Sequence, residues 1–267
     1  MAQPQFPSLL QHYLRFSEKK NECLESGTLD LGYWSWVYPT TLLPLGIFLK
    51  GIRDRIEYIE PYDANVANYL SIVIGELGAG PCGGPTYVPI VSLPRDRGDS
   101  VTLLNRIFEL NRDGKYYGGE DAFKYLVSEL VGNIYEHSEF KNARVMAQRY
   151  PKKGFVDISF FDDGISIPGR FEKKALKFED QIAIAKAMNG LSTKRDDRGF
   201  GLRTNLRLFT KGLGGQMLVV SRSGAVYVDK EERGLYILPN KHKLQGTLVS
   251  IRAPIQTKKV DIYDYIE

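Results

Sequence analysis

A chain of 267 residues is long enough for one large domain or two modest ones, and either size can bury a hydrophobic core. The composition is 43% hydrophobic, 25% charged and 12% aromatic, which is typical of a folded protein and excludes a disordered chain. The formal charge of +4 comes from 36 basic and 32 acidic residues without a long basic run, so charge neither requires nor excludes nucleic acid.

Cysteine usage and hydropathy indicate the compartment. Cys23 and Cys82 lie far apart in the sequence and the chain has three histidines, which does not match a zinc cluster and favours a reducing environment. The first twenty residues lack the basic start and apolar stretch of a secretory signal. The longest apolar segment, 40–52, is broken by Pro44 and Lys50. We expect a cytoplasmic protein with no membrane anchor.

Glycine and proline cluster between residues 78 and 98, in LGAGPCGGPTYVP and LPRDRGD, and this cluster predicts a connection between two units. We place the boundary at residue 94. Strand-like and helix-like segments alternate in 1–94, which predicts a small α/β module. Its expected elements are a strand at 29–37, a helix from Pro39, a strand at 55–59 and a helix at 65–76.

The sequence of the second unit, 95–267, predicts an α+β domain with helices on one face of a mixed, mostly antiparallel sheet. Its expected helices lie at 100–111, 120–136, 179–189 and after Gly201. Its expected strands lie at 143–148, 155–162, 216–221, 225–228, 234–238 and 247–253.

A literal match to the dinucleotide pattern G-x-G-x-x-G occurs at Gly78, Gly80 and Gly83. The match follows a predicted helix instead of a strand, and Pro81 stands where a helix should begin. We therefore interpret this segment as a loop. The P-loop pattern G-x-x-x-x-G-K-[ST] does not occur in the sequence.

The expected helix 120–136 carries a polar stripe beside its apolar face. Glu129, Asn133 and His137 are spaced by four residues, which places them along one border of that face. Polar side chains in this position line a pocket or cap a neighbouring element. For His137 we favour capping or filling the edge of the core over a catalytic role.

Two segments after this helix suggest a site for a flat ring. The expected strand 155–162 ends in DDGIS, so Asp162 would stand at a strand end beside Gly164. A carboxylate there can accept a hydrogen bond from an amino group while the glycine permits close approach of a ring. The alternative is an ordinary Asp-Gly turn. The last strand begins with Gly246 and Thr247, a pair that means little alone.

The segment LSTKRDDRGFGL suggests phosphate binding. Gly199 and Gly201 precede an apolar-periodic stretch, and glycines that open a helix expose backbone amides at its positive end. Lys194 and Arg198 add positive charge beside them. By itself this signal is weak.

Taken together and in order, four segments resemble the boxes of the GHKL superfamily, which includes gyrase, the ninety-kilodalton heat-shock chaperones, histidine kinases and MutL. They are ELVGNIYEHS, of the form E-x-x-x-N, then DDGIS, RGFGL and the final GT, and they cover residues 100–255. The resemblance implies a Bergerat-type α/β sandwich that binds ATP with Mg²⁺.

The resemblance also implies roles at the phosphate end. Glu129 would orient or deprotonate the attacking water, and Asn133 would hold the Mg²⁺ that bridges the phosphates. Backbone facing the phosphates would come from three residues, Gly199, Gly201 and Leu202. Two lid residues, Lys194 and Arg198, would contact the terminal phosphates.

At the other end, the resemblance implies that Asp162 binds the adenine amino group. Gly164 would let the base approach, and Thr247 would support the adenine end. The usual D-x-G-x-G pattern has Ser166 in place of its second glycine, so the backbone there is expected to differ.

The class within the superfamily stays open. A sensor histidine kinase is disfavoured, because the unit before the ATP domain is α/β, and its one histidine, His12, is expected on the surface of a short helix. The run LDLGYWSWVYPTTLLPLGIFL faintly resembles STAS-like regulatory folds that accompany anti-sigma serine kinases. Its alternating aromatic residues, 33–38, would fill a core or form a docking face.

Two functions of different class follow from these expectations. One is a Mg²⁺-dependent ATPase, or a kinase of Ser or Thr on a partner protein, with Glu129 as the base. The other is an ATP-gated interaction module with little or no turnover. We expect a protein partner or client and possible homodimerisation, and we do not expect nucleic acid as a direct ligand.

Overall fold

The computed structural model describes residues 6–75, 86–110, 120–190, 206–254 and 260–265. Its α-helices are α1 (Ser8–Ser26), α2 (Pro39–Ile52), α3 (Ala64–Gly75), α4 (Val101–Glu109), α5 (Glu120–His137), α6 (Ile167–Glu172) and α7 (Asp180–Met188). Its strands are β1 (Thr28–Asp30), β2 (Glu57–Ile59), β3 (Tyr87–Ser92), β4 (Ala143–Tyr150), β5 (Phe155–Asp162), β6 (Gln216–Arg222), β7 (Gly224–Val228), β8 (Arg233–Ile237) and β9 (Leu244–Pro254). A π-helical turn, Leu208–Gly212, precedes β6.

Seven strands form one sheet in the order β3-β4-β5-β9-β6-β7-β8, and β1 pairs with β2 separately. Every neighbouring pair in the large sheet is antiparallel. The α+β class is therefore confirmed, but a mixed sheet was the wrong expectation. Short connections join β4 to β5, β6 to β7 and β7 to β8, and a parallel pair would need a crossover of a dozen or more residues.

Both faces of the strands from β4 to β7, with β9 between them, are largely buried, whereas the edge strand β8 is exposed or half-buried. On one face, alternate residues of β5, such as Ile158 and Phe160, pack with α4, α5 and α7 in one core. On the other face, Phe161 of β5 packs with residues of α1, α2 and α3 in a second core. The prediction of helices on one face holds for the helices after residue 95. The N-terminal helices, which precede this unit, cover the opposite face.

The N-terminal segment also supplies a strand to the large sheet. Residues 87–92 lie within the stretch we interpreted as a connection, yet they form β3, the edge strand beside β4. Pro89 interrupts this strand, and an edge position tolerates proline because no partner on one side needs its missing amide. A boundary at residue 94 stays a prediction, although both segments share this sheet.

The strand expected at 29–37 is shorter than predicted. It ends at Asp30, whose Oδ1 accepts the Gly32 amide at 2.8 Å in an Asx turn. The aromatic residues beyond it do not alternate as a strand would. Trp34 is buried in the second core, whereas the Tyr33 side chain is 88% exposed. The residues therefore divide between core filling and surface, instead of sharing one role.

Helix α5 brings the polar stripe to the end of β5. Its apolar side chains from Leu126 to Ile134 join the first core, as the periodicity predicted. The helix ends at His137, and the Ser138 amide and hydroxyl both donate to the Ile134 carbonyl oxygen. Within the described ranges, no helix has both the length and the apolar character needed to cross a bilayer.

Candidate functional site

The segment after β5 lies directly against the end of α5. The Ile165 amide donates to the Ser138 carbonyl oxygen at 2.8 Å. A Cβ on Gly164 would lie 2.0 Å from that same oxygen, so no side chain fits there. The contact joins the helix that carries Glu129 and Asn133 to the strand that carries Asp162. Two segments predicted separately from the sequence therefore meet.

Asp162 is buried at the end of β5, with 4% of its surface exposed. Its Oδ1 accepts the Gly164 amide at 3.0 Å. Burial raises the pKa of Asp162 to about 7, because the Gly164 hydrogen bond only partly offsets the loss of water. A buried carboxylate with this environment gains most from a ligand that donates hydrogen bonds to it.

The neighbouring carboxylate, Asp163, stabilises the loop between α5 and β4. Its Oδ1 accepts the amides of Lys141 and Asn142, each at 2.8 Å, and its Oδ2 accepts Nδ2 of Asn142 at 2.8 Å. Burial alone would raise the pKa of Asp163, but the hydrogen bonds from Asn142 hold it below its ordinary value. Asp163 therefore anchors the loop after α5, and Asp162 is the carboxylate of the candidate site.

Thr247 lies directly opposite Asp162 in the register of β5 and β9, so both side chains are on the α5 face of the sheet. Thr247 is buried, and its Oγ1 lies 3.0 Å from Oγ of Ser221, its partner on β6. Gly246 has φ of +88°, and a Cβ there would lie 1.9 Å from the Asp162 carbonyl oxygen. This glycine is thus required for the close approach of β9 to the end of β5.

Ser166 has a backbone conformation that glycine adopts more readily than other residues. Its φ is 70° and its ψ is 159°, a region that non-glycine residues rarely adopt. The Ser166 Oγ accepts the Gly169 amide at 3.2 Å and so caps α6. The expected effect of serine on the backbone stays a prediction. The serine hydroxyl caps this helix while its backbone has a positive φ.

Helix α6, which the sequence analysis missed, is held from both sides. Glu172 forms a bidentate ion pair with Arg222 of β6, at 2.7 and 2.9 Å. Glu139, just after α5, accepts from Arg170 at 2.9 Å and also pairs with Lys173. The helix is only six residues long, too short for a periodicity signal. These pairs connect the end of α5, the segment after Asp162 and β6.

The stripe on α5 runs away from Asp162. At about 1.5 Å per residue, Asn133 lies roughly 7.5 Å and Glu129 roughly 13.5 Å from Ser138 along the axis. The Nδ2 atom of Asn133 is buried and has no hydrogen-bond partner among the described residues. His137 is on the same stripe at the helix end. Asn133 and Glu129 are thus the next two members of this stripe along α5, counted from the end that contacts Gly164.

Glu129 is half-buried, and burial raises its pKa. The Glu136 carboxylate acts in the same direction, whereas the Arg97 guanidinium lowers the pKa of Glu129. Arg97 reaches Glu136 at 3.3 Å by lying across Gly132, where a Cβ would be 3.1 Å from its Nη2. The sequence analysis missed Arg97 because it lies in the LPRDRGD segment, interpreted as a connection.

Five predicted residues lie outside the described residues: Lys194, Arg198, Gly199, Gly201 and Leu202. Their phosphate-binding and lid roles stay predictions, as does the loop interpretation of 78–83. Of the other predicted residues, the structure brings Asp162, Gly164 and Thr247 together. It places Glu129 and Asn133 on the helix that ends beside them.

No protein-family model matches this chain, and no curated protein matches it.

Proposed function

We propose that this protein binds ATP with Mg²⁺ in the manner of GHKL nucleotide-binding domains and hydrolyses it or transfers its phosphate to a partner protein. The observation that carries the proposal is the meeting of Asp162, Gly164 and Thr247 at the end of α5. A buried acceptor and a hydroxyl beside a tight turn are groups that bind the edge of an amino-substituted ring.

The base would bind at Asp162. Its carboxylate accepts from the exocyclic amino group, and burial strengthens this hydrogen bond because water does not compete. The ring would lie beside the turn at Gly164, whose missing side chain lets the turn pack against the Ser138 carbonyl oxygen. Thr247, opposite Asp162, borders the same position.

The phosphate chain would extend along α5 toward Asn133 and Glu129. The side chain of Asn133 fits a ligand role, because its buried nitrogen has no partner among the described residues and its amide oxygen is a suitable donor atom for Mg²⁺. Bound Mg²⁺ offsets the negative charge of the phosphates. Glu129 would orient the attacking water or accept a proton, which suits a carboxylate whose pKa burial has raised.

Calorimetric titration of the full chain with ATP and ADP, with and without Mg²⁺, tests the proposal. Wild type is expected to bind and Asp162→Asn to lose at least about tenfold in affinity, since the amide NH₂ opposes the ligand amino group. Asp229→Asn is the matched control, because Asp229 also accepts backbone amides but lies in the turn after β7. Absence of binding by folded wild type contradicts the proposal.

Phosphate release by the same samples separates enzyme from gated module. Release from wild type, with or without a partner protein, supports the ATPase. Binding without release or transfer supports the alternative, an ATP-gated interaction module.

A further inference from the structure

The Ser221 hydroxyl is a junction of three hydrogen bonds behind the candidate base site. Its Oγ lies 3.0 Å from the Gly246 carbonyl oxygen, 3.0 Å from Oγ1 of Thr247 and 3.1 Å from the Ile167 amide nitrogen. Ser221 is fully buried, so water does not substitute for any of these partners. The junction joins β6, the start of β9 and the start of α6.

The protons at this junction can be assigned from the partners. The Ile167 amide can only donate and the Gly246 carbonyl can only accept, so Ser221 must give its one proton to Gly246 to satisfy both. Thr247 then donates its own proton to Ser221. If Ser221 donated to Thr247 instead, two oxygens, those of Ser221 and Gly246, would lie 3.0 Å apart without a hydrogen between them.

This assignment determines what Thr247 offers a ligand. With its proton directed at Ser221, the Thr247 hydroxyl has only acceptor lone pairs left for the ligand side. Asp162, directly opposite in the register, is also an acceptor when it is ionised. The end of the sheet therefore presents two acceptors side by side and no hydroxyl donor from Thr247.

We propose that Ser221 is a specificity-determining residue that orients the Thr247 hydroxyl so that the site selects a 6-amino purine over a 6-oxo purine. The inference rests on the proposed nucleotide site and deepens it. An amino group brings two N–H donors to the two acceptors, whereas a carbonyl oxygen brings lone pairs against lone pairs. Ser221 acts through Thr247 and does not contact the base itself.

The test is the affinity of the full chain for ATP relative to ITP, measured by calorimetry. Wild type is expected to prefer ATP, and Ser221→Ala to lower the ATP-to-ITP affinity ratio about tenfold, because the freed Thr247 hydroxyl can then donate to a carbonyl. Ser159→Ala is the matched control. Ser159 is a buried serine on β5 whose Oγ pairs with that of Ser250 at 2.9 Å on the opposite face, and its loss should leave the ratio unchanged.

A double-mutant comparison separates orientation from a general packing effect. Thr247→Val should also lower the ratio, and adding Ser221→Ala to it should lower the ratio no further, because Ser221 acts only through the Thr247 hydroxyl. If Ser221→Ala does not fold, Ser221→Cys replaces it, since a thiol keeps the side chain but is a weak hydrogen-bond partner.

The outcomes distinguish this inference from the proposed function. ATP binding with an unchanged ATP-to-ITP ratio in the Ser221 variant overturns the inference and leaves the proposed function standing. Equal affinity of wild type for ATP and ITP also overturns the inference and leaves the proposed function standing. If wild type binds neither nucleotide, the proposed function fails and the inference fails with it.

Discussion

Asp157 and Arg252 face each other across β5 and β9 and form a bidentate ion pair, with distances of 2.7 Å from Nε to Oδ1 and 2.8 Å from Nη2 to Oδ2. Asp157 is 1% exposed, and the guanidinium lies 4.1 Å from the centroid of the Phe155 ring. The pair is on the face covered by the N-terminal helices, opposite the face of Asp162. Strand β5 therefore carries a buried ion pair on one face and the candidate site on the other.

Breaking this ion pair should destabilise the fold strongly. We expect Asp157→Ala to lower the free energy of unfolding by about 3–5 kcal/mol, because it leaves the Arg252 charge buried without its partner. The double change Asp157→Leu with Arg252→Met should cost less, since no buried charge remains. Denaturant unfolding measures both. Glu231→Ala, which removes an exposed ion pair with Lys230, is the control and should change stability by less than about 1 kcal/mol. If Asp157→Ala lowers the free energy of unfolding as little as the control does, the ion pair does not stabilise the fold in this way.

Adenosine binding should weaken as the pH falls below 7. The pKa of Asp162 is raised to about 7 in the free protein, so a proton competes with the ligand amino group for the carboxylate. We expect the affinity for adenosine to fall by up to about tenfold per pH unit between pH 7 and 5. Adenosine is the appropriate probe because it has no phosphate to titrate. Residual binding by Asp162→Asn should not follow this dependence; a parallel decline in that variant would assign the titration to another group.

The same carboxyl should make stability depend on pH. Its pKa is about 7 in the folded protein against an ordinary 3.8, so the folded state binds more protons between these values. Asp162 therefore makes its full contribution to the free energy of unfolding below pH 4, and this contribution is lost as the pH rises to 7. Relative to Asp162→Asn, wild type should lose roughly 2–3 kcal/mol between pH 5 and 8. Denaturant unfolding of both proteins at the two pH values measures this, and equal pH dependences would be inconsistent with it.

Two substitutions at Ser166 should separate backbone strain from helix capping. Ser166→Gly removes the cost of a positive φ but also removes the helix cap. We expect its free energy of unfolding to lie between about 0.5 kcal/mol below and 1 kcal/mol above that of wild type. Ser166→Ala keeps the strain and loses the cap, and should cost about 1 kcal/mol or more. Thermal or denaturant unfolding ranks the three proteins. An alanine variant as stable as the glycine variant would exclude strain at this residue.

Glu129 should be needed for turnover and not for binding. We expect Glu129→Gln to lower the rate of ATP hydrolysis at least about a hundredfold while calorimetry shows ATP binding retained, because the amide cannot accept a proton. Glu109→Gln is the matched control, a carboxylate at the end of α4 that pairs with Arg106. Unchanged hydrolysis in Glu129→Gln would remove Glu129 from the reaction.

Much of this fold is determined by local sequence. The apolar spacing from Leu126 to Ile134 predicted α5, and the alternation and boundaries of 155–162 predicted β5, because each pattern repeats within one element. The same local pattern placed Asp162 at a strand end beside Gly164. Strand β3, helix α6 and the full length of α1 were not predicted. Proline interrupts β3, and α6 is too short to show a period.

Only the tertiary structure decided which of these elements meet. β9, the last strand of the sheet in sequence, inserts between β5 and β6, and this pairing sets Thr247 opposite Asp162 and Ser221 behind Thr247. The tertiary structure also places α1 and α2 on the second face of the sheet. Local periodicity indicates which side of a strand is buried, but it does not indicate which strand lies beside it. Pairing between distant segments depends on the packing of the whole chain, and the candidate site is built from such pairings.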